Sequence, residues 1–380
     1  MSNADELFNG YLKHSHAHKA TDLHLCAGSK PLIRVNGKLV AIPEADNVMP
    51  PLINEIINHL LKKRTNENNF SSDDTNPDDA DNKLFESKWN TLNQNGVMDL
   101  SFSIPGLGRF RANIYSQRGS FAMAIRMLPF NIPSFSELGL PPTVESFTAK
   151  TKGLFLVTGA TGSGKSTTLA SLIDLINARY NYHIITIEDP IEYLHRHNKS
   201  LMTQREIGED TNSFASALRS ALREDPDVIM VGEMRDPETI SIAITAAETG
   251  HLVLSTLHTI GAAKSIDRII DGIPQSQQTQ VRSQLATVLE GIVSQQLIPR
   301  IDQPGIVLAS EVMFVNTAIR NLIREGKHYQ INSIMQTGQT QGMQLMDMDL
   351  AKLVNAGIID KDEAMLRASD QQLLMQFIKK

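Results

Sequence analysis

At 380 residues the chain has room for two or three domains that each bury a core, and 41% apolar with 21% charged residues is ordinary for a soluble globular protein. A net charge of −6 argues against nucleic acid as the partner, and a single cysteine, Cys26, rules out an internal disulfide or a thiolate zinc site. No apolar run approaches the roughly 18 to 20 residues a membrane span needs, and the polar, acidic start Met1–Glu6 has no signal-peptide core, so no transmembrane segment and a cytoplasmic location are expected.

Residues 1–128 read as one mixed α/β domain. His14, His16 and His18 alternate near the start, a spacing better suited to a solvated helix face than to a metal site. Leu23, Leu25, Leu32, Ile33, Val35, Leu39 and Ile42 fall in short runs broken by Gly28, Pro31 and Gly37, a hairpin-rich pattern. Pro51–Lys63 predicts a helix with Leu52, Ile53, Ile56, Ile57, Leu60 and Leu61 on one face. Residues 64–82 carry Asp73, Asp74, Asp78, Asp79 and Asp81 with Phe70 as the one large apolar residue. Burial there cannot offset ordering entropy, so a mobile acidic insertion is expected.

Strands are predicted over Met98–Ile104 and Arg109–Tyr115, joined by the turn Pro105-Gly106-Leu107-Gly108, and again over Phe121–Met127. Period two sets Arg109 and Arg111 on one strand face, and Arg126 lies on the next strand. These three are candidates for neutralising transition-state charge, and an arginine supplied in trans can be worth ~10³ to 10⁵ in rate. Pro129, Pro133, Pro141 and Pro142 mark residues 129–150 as an interdomain connector.

From Thr151 to residue 308 the βα alternation predicts a parallel sheet covered by helices. Gly153–Thr158 is an apolar strand, and from Thr167 to Tyr180 Leu169, Leu172, Ile173 and Ile176 recur at helical spacing. Between them, Gly159-Ala160-Thr161-Gly162-Ser163-Gly164-Lys165-Ser166 has the form G-x-x-x-x-G-K-S, with Thr167 next in the helix. Strand, glycine loop and helix N-terminus make a phosphate cradle in which Lys165 reaches the β- and γ-phosphates and the Ser166 hydroxyl ligates Mg²⁺. A nucleoside triphosphate is the expected ligand.

Acids at the carboxyl ends of parallel strands lie beside such a ligand. Ile184–Ile187 runs into Glu188-Asp189-Pro190-Ile191-Glu192, a group suited to holding metal and activating water. Val228–Val231 runs through Gly232 into Glu233, the Walker B arrangement that orients Mg²⁺ and water. Asp236 is placed to cap the next helix, with Pro237 in its first turn and Gly250 at its end. His251–Leu257 forms a further strand with His258 at its exit, where it could contact the γ-phosphate or hold an acid. Arg219 and Arg223 lie four apart on one helix. From about Ala309 the pattern reads as helical to residue 380.

These motifs, in this order, resemble those of the type II/IV secretion ATPase superfamily, which includes the type IV pilus motors, and the resemblance covers nearly the whole chain. Thr21-Asp22-Leu23-His24-Leu25 and Arg34-Val35-Asn36-Gly37 resemble the start of that family's small PAS-like domain, and Gly108–Asn113 its arginine strand. Thr186–Tyr193 resembles its Asp box, Gly232–Asp236 its Walker B and Gly250–Thr259 its His box, while Gln204-Arg205-Glu206 falls in family register. Ala318–Glu325 is similar to the segment tied to pilus retraction in some members.

The resemblance implies a PAS-like domain joined to a RecA-like core and a homohexameric ring holding ATP and Mg²⁺ between subunits. It implies that Glu188 and Glu233 position or polarise the attacking water, that His258 senses the γ-phosphate, and that Arg109, Arg111 and Arg126 are finger candidates. Pilus retraction at the cytoplasmic face of the inner membrane follows as the expected function. An inner-membrane platform protein and other pilus ATPases are the expected partners, and nucleic acid is not. An accessory retraction ATPase shares the same motifs. Assembly and export members usually carry a further N-terminal domain and a four-cysteine insert; a start almost directly at the small domain and a single cysteine make that alternative the less expected one.

Overall fold

The computed structural model describes residues 3–67, 77–129 and 131–379, and in it two β-sheets lie in separate units, Met1–Phe130 and Asn131–Lys380. The first unit contains α1 (Asn3–Ala17), β1 (Asp22–Cys26), β2 (Leu32–Val35), β3 (Lys38–Ala41), α2 (Pro50–Glu67), α3 (Pro77–Asn95), β4 (Val97–Ile104), β5 (Gly108–Gln117) and β6 (Ser120–Met127). Its six strands pair antiparallel in the order β3-β2-β1-β6-β5-β4. One sheet face is apolar by period two: Leu23 and Leu25 of β1 and Phe110, Ala112 and Ile114 of β5 are buried. They pack with Phe8 and Leu12 of α1 and the predicted stripe of α2, of which Ile53, Ile56, Ile57, Leu60 and Leu61 are buried. Rings of His14 and His18 stack at 4.1 Å along α1, the helix-face arrangement their spacing suggests.

The mobile insertion expected over 64–82 falls in large part outside the described residues. Helix α2 continues to Glu67 and α3 starts at Pro77, so both flanks are helical, while residues 68–76 lie outside the described part. Farther along α3, Phe85, Trp89 and Leu92 recur at helical spacing. Leu92 is fully buried, and Trp89 meets Phe121 of β6 edge-on at 5.9 Å. That apolar stripe begins only after the acidic stretch, beyond residue 82.

The second unit contains β7 (Gly153–Thr158), α4 (Lys165–Arg179), β8 (His183–Glu188), β9 (Leu201–Glu206), α5 (Phe214–Ala221), β10 (Val228–Val231), α6 (Pro237–Glu248), β11 (Leu252–Leu257), α7 (Ala262–Asp271), α8 (Gln275–Val288), β12 (Leu289–Pro299) and β13 (Ile306–Phe314). The sheet order is β13-β12-β7-β11-β10-β8-β9, parallel throughout except for β13, an antiparallel edge on β12. Every residue of β7, β10 and β11 is buried, as strands covered on both faces require.

Helices α9 (Thr317–Glu325), α10 (Ile331–Thr337), α11 (Met346–Asn355), α12 (Lys361–Arg367) and α13 (Gln371–Phe377) follow. The helical pattern thus begins at Thr317 rather than Ala309, because residues 306–314 form the return strand of a hairpin. Its buried polar residues Ser310 and Glu311, like Ser294 and Gln295 on β12, interrupt the apolar alternation that would have marked a strand. Helix α9 carries the Ala318–Glu325 segment, and its Arg320 bonds Ala286 O, Thr287 O and the Glu290 carboxylate at 2.9, 2.6 and 2.8 Å.

Residues 131–150 pack into the second unit. They form two 3₁₀ turns, Phe135–Leu138 and Pro142–Ala149, whose Phe135, Val144 and Phe147 join the core under β7 and α4. Phe147 stacks on Phe155 at 4.2 Å and on Phe314 at 4.7 Å, over Gly291, where a Cβ would sit 2.2 Å from the Phe147 ring. Phe147→Ala is therefore expected to destabilise this unit by about 3–5 kcal/mol, read as a lower denaturant midpoint.

Candidate active site

The loop after β7 is shaped by its glycines. Gly159 has φ 146°, and a Cβ there would meet both the Gln295 carbonyl oxygen and Ser163 Oγ at 2.5 Å. Only glycine suits that conformation and that closeness. Gly162 and Gly164 are left-handed at φ 79° and 89°, and Gly164 stands at the N-cap of α4 with no side chain bonded to the helix amides. Ser163 Oγ and, at the end of β7, Thr158 Oγ1 are buried without a hydrogen-bond partner among the described residues. Free helix amides and orphaned buried hydroxyls fit a bound phosphate.

Lys165 is 8% exposed and donates from Nζ to Gly159 O at 2.9 Å and to Ala160 O at 3.0 Å. Burial pulls its pKa down, opposed by the charges of Glu192 and Glu233. Ser166 is exposed beside it, and Thr167 Oγ1 lies 3.0 Å from the Tyr193 hydroxyl.

Two carboxylates face this loop in different settings. Glu188, the last residue of β8, is buried, and its Oε1 accepts from Thr186 Oγ1 at 2.7 Å and from Gln204 Nε2 at 3.3 Å. Burial pushes its pKa up to about 7, against the pull of those hydrogen bonds. Glu233, two residues beyond β10, accepts from Arg235 Nε at 2.6 Å and lies 3.2 Å from His258 Nε2. The exits of β8 and β10 come close because Gly232 lacks a Cβ, which would stand 3.2 Å from Ile187 O. Lys165, Ser166, Glu188, Glu192, Glu233 and His258 line one cavity of about 410 Å³.

His258 therefore stands beside the Glu233 carboxylate. Asp236 is a helix cap, accepting from Thr239 N at 2.8 Å and Thr239 Oγ1 at 2.6 Å. Arg219 pairs with Glu238, and Arg223 bonds Arg219 O at 3.1 Å.

The walls of the cavity come from residues 161–297, whereas Arg109, Arg111 and Arg126 belong to the first unit. Arg109 and Arg111 lie on the face of β5 opposite the buried Phe110 and Ala112, as period two requires. Arg111 stands directly across from Arg126, whose cross-strand neighbour on the other side is Asp22. Facing like charges are unfavourable. Asp22 offsets them, bonding Arg126 Nε at 3.1 Å, and Asp99 lies 3.8 Å from Arg111. Arg109 reaches Ser103 Oγ at 3.4 Å.

Arg235, Thr186 and Gln204 contact the acids; each lay inside a stretch that carried the family resemblance, without a site role of its own. Arg235 stands two residues after Glu233, so proximity was the available signal. For Gln204 the signal was the family register of Gln204-Arg205-Glu206, since Leu201–Glu206 lacks the alternation of a strand.

Residues 119–373 match the family described as type II/IV secretion system protein. The chain is 45% identical over 349 residues to the type IV pilus retractation ATPase PilT of Pseudomonas aeruginosa, covering 92% of this chain and 94% of that protein. It is also 45% identical over 342 residues to a twitching motility protein of Neisseria gonorrhoeae, covering 90% and 85%. A solved structure of the pilus retraction motor PilT with bound ADP matches with a TM-score of 0.82 and 45% identity over 99% of both chains.

Proposed function

The chain belongs to the type II/IV secretion system protein family, and on that footing we propose that it is an ATPase motor that drives type IV pilus retraction. The observation that carries the reading is the gathering of Lys165, Ser166, Glu188, Glu233 and His258 on one cavity in a chain so similar to a retraction motor. In this reading the first unit is PAS-like, the second has a RecA-like core, and six copies form a ring with ATP at the seams. The ring works at the cytoplasmic face of the inner membrane against a platform protein, alongside other pilus ATPases. Among the described residues no helix is long and apolar enough to cross a membrane, which suits a peripheral motor.

Backbone amides of residues 159–164 and of the first turn of α4, through Thr167, wrap the phosphates, and Lys165 bonds the β- and γ-phosphate oxygens. Mg²⁺ held by Ser166 and phosphate, with Glu233 reached through water, would neutralise charge on the transferring group. Glu233 already engages Arg235 and His258, which suits it to orienting water and His258 to sensing the γ-phosphate. Glu188 takes the proton of the attacking water as its oxygen bonds the γ-phosphorus. The bond from that phosphorus to the bridging oxygen breaks, leaving ADP and inorganic phosphate. Arg109, Arg111 and Arg126 serve the site of a neighbouring subunit.

Glu233→Gln is expected to abolish phosphate release from ATP and to leave fibres that extend without retracting, seen by imaging labelled pili in cells carrying only the variant. Loss of fibre assembly in those cells would contradict the retraction reading.

A further inference from the structure

We infer that Gln204 is a positioning residue for hydrolysis: its single amide fixes the Glu188 carboxyl and staples residues 189–195 to the edge of the sheet. The inference rests on the reading of Glu188 as the proton acceptor. Gln204 lies on the edge strand β9 in register with Thr186, and Glu206 pairs with Glu188. Its Oε1 accepts from the backbone N–H of His195 at 2.7 Å. A backbone N–H can only donate, so that bond decides which end of the amide is oxygen and aims Nε2 the other way. Nε2 then donates to Glu188 Oε1 at 3.3 Å and to Tyr193 O at 2.9 Å. Tyr193 in turn meets Thr167 in the first turn of α4 through its hydroxyl. One side chain therefore ties the acid, the loop behind it and the phosphate-binding helix together.

The groups around Glu188 come from every neighbouring element. Asp189, Glu192 and His195 lie on the loop after β8, Lys165 on α4, and Glu233 with Arg235 at the exit of β10. His258 stands at the exit of β11, and Glu206 on β9 is occupied with Ile191 N at 3.1 Å. Burial and the Glu192 charge raise the Glu188 pKa, while the donors on Thr186 and Gln204 and the backbone N–H of Glu192 favour its charged form. Loss of a donor moves the pKa higher still. A smaller fraction is then ionised at neutral pH, and the lost rate returns on going alkaline.

The test is the pH dependence of kcat/KM for phosphate release by the full chain. Gln204→Leu is expected to move the acidic limb upward by about 0.5–1 pH unit, with the alkaline plateau within about threefold of wild type. Gln204→Glu, which keeps the shape and the oxygen facing His195, should move the limb further, because a second carboxylate replaces the donor. Thr186→Val should shift it as well, while Thr186→Ser, which retains the hydroxyl, should not. An unmoved limb in both Gln204 variants, or a rate loss equal at every pH, overturns the inference alone. A wild-type protein that releases no phosphate from ATP at any pH brings down the ATPase reading, and the inference with it.

Discussion

Lys165→Ala is expected to lower ATP turnover by ~10² to 10³ while shifting folding stability by no more than about 1 kcal/mol. The two effects separate because of where the ammonium sits. It is buried, and burial works against its charge, but its close partners are the loop carbonyls of Gly159 and Ala160. Removing it relieves a desolvated charge and gives up two hydrogen bonds, opposing terms of similar size. Against a triphosphate the balance differs, because the same ammonium would meet developing negative charge in a site that excludes water. Phosphate release and thermal melting on the same preparation check both halves. Undiminished turnover would remove this loop from the mechanism.

The arginines of the first unit allow a second large effect. Loss of Arg109, Arg111 and Arg126 together should cut hydrolysis by ~10³ or more if they supply transition-state charge in trans. The sharper measurement mixes this triple variant with Lys165→Ala protein, each inactive alone. A seam between copies needs an intact loop from one subunit and intact arginines from its neighbour, so random mixing should restore roughly a quarter of wild-type activity. Arginines acting within their own chain would give no recovery, because no subunit in the mixture carries both. Asp22 and Asp99 hold these side chains on an otherwise positive strip, so Asp22→Asn alone should weaken hydrolysis less than loss of the arginines.

Much of the second unit was legible because its signals are contiguous. Gly153–Thr158, the glycine loop and the helix from Lys165 are one unbroken stretch, and φ values of 146°, 79° and 89° occur at the glycines that the G-x-x-x-x-G-K-S form supplies. Asp236 with Pro237 announced a cap, and a cap is found. Strands β9, β12 and β13 and helix α3 were not legible. Polar positions of the three strands bond partners elsewhere in the chain: Gln204 bonds His195 and Glu188, Gln295 Nε2 bonds Thr168 at 2.8 Å, and Glu311 bonds Ala262 N at 2.6 Å. A polar residue with a buried partner reads locally like a loop residue, so periodicity breaks where tertiary bonds begin.

The sequence alone therefore determined which residues form the glycine loop before α4 and which acids end strands, since each follows from neighbours a few positions away. Only the tertiary structure decided how those acids differ. The order β12-β7-β11-β10-β8-β9 brings His258 to Glu233 across 25 residues of chain and sets Gln204 opposite Thr186. That order buries Glu188 and lifts its pKa toward neutrality, while it surrounds Glu233 with Arg235 and His258. Burial and charge pairing depend on which strands lie side by side, and side-by-side placement of parallel strands is a long-range choice that local spacing does not carry.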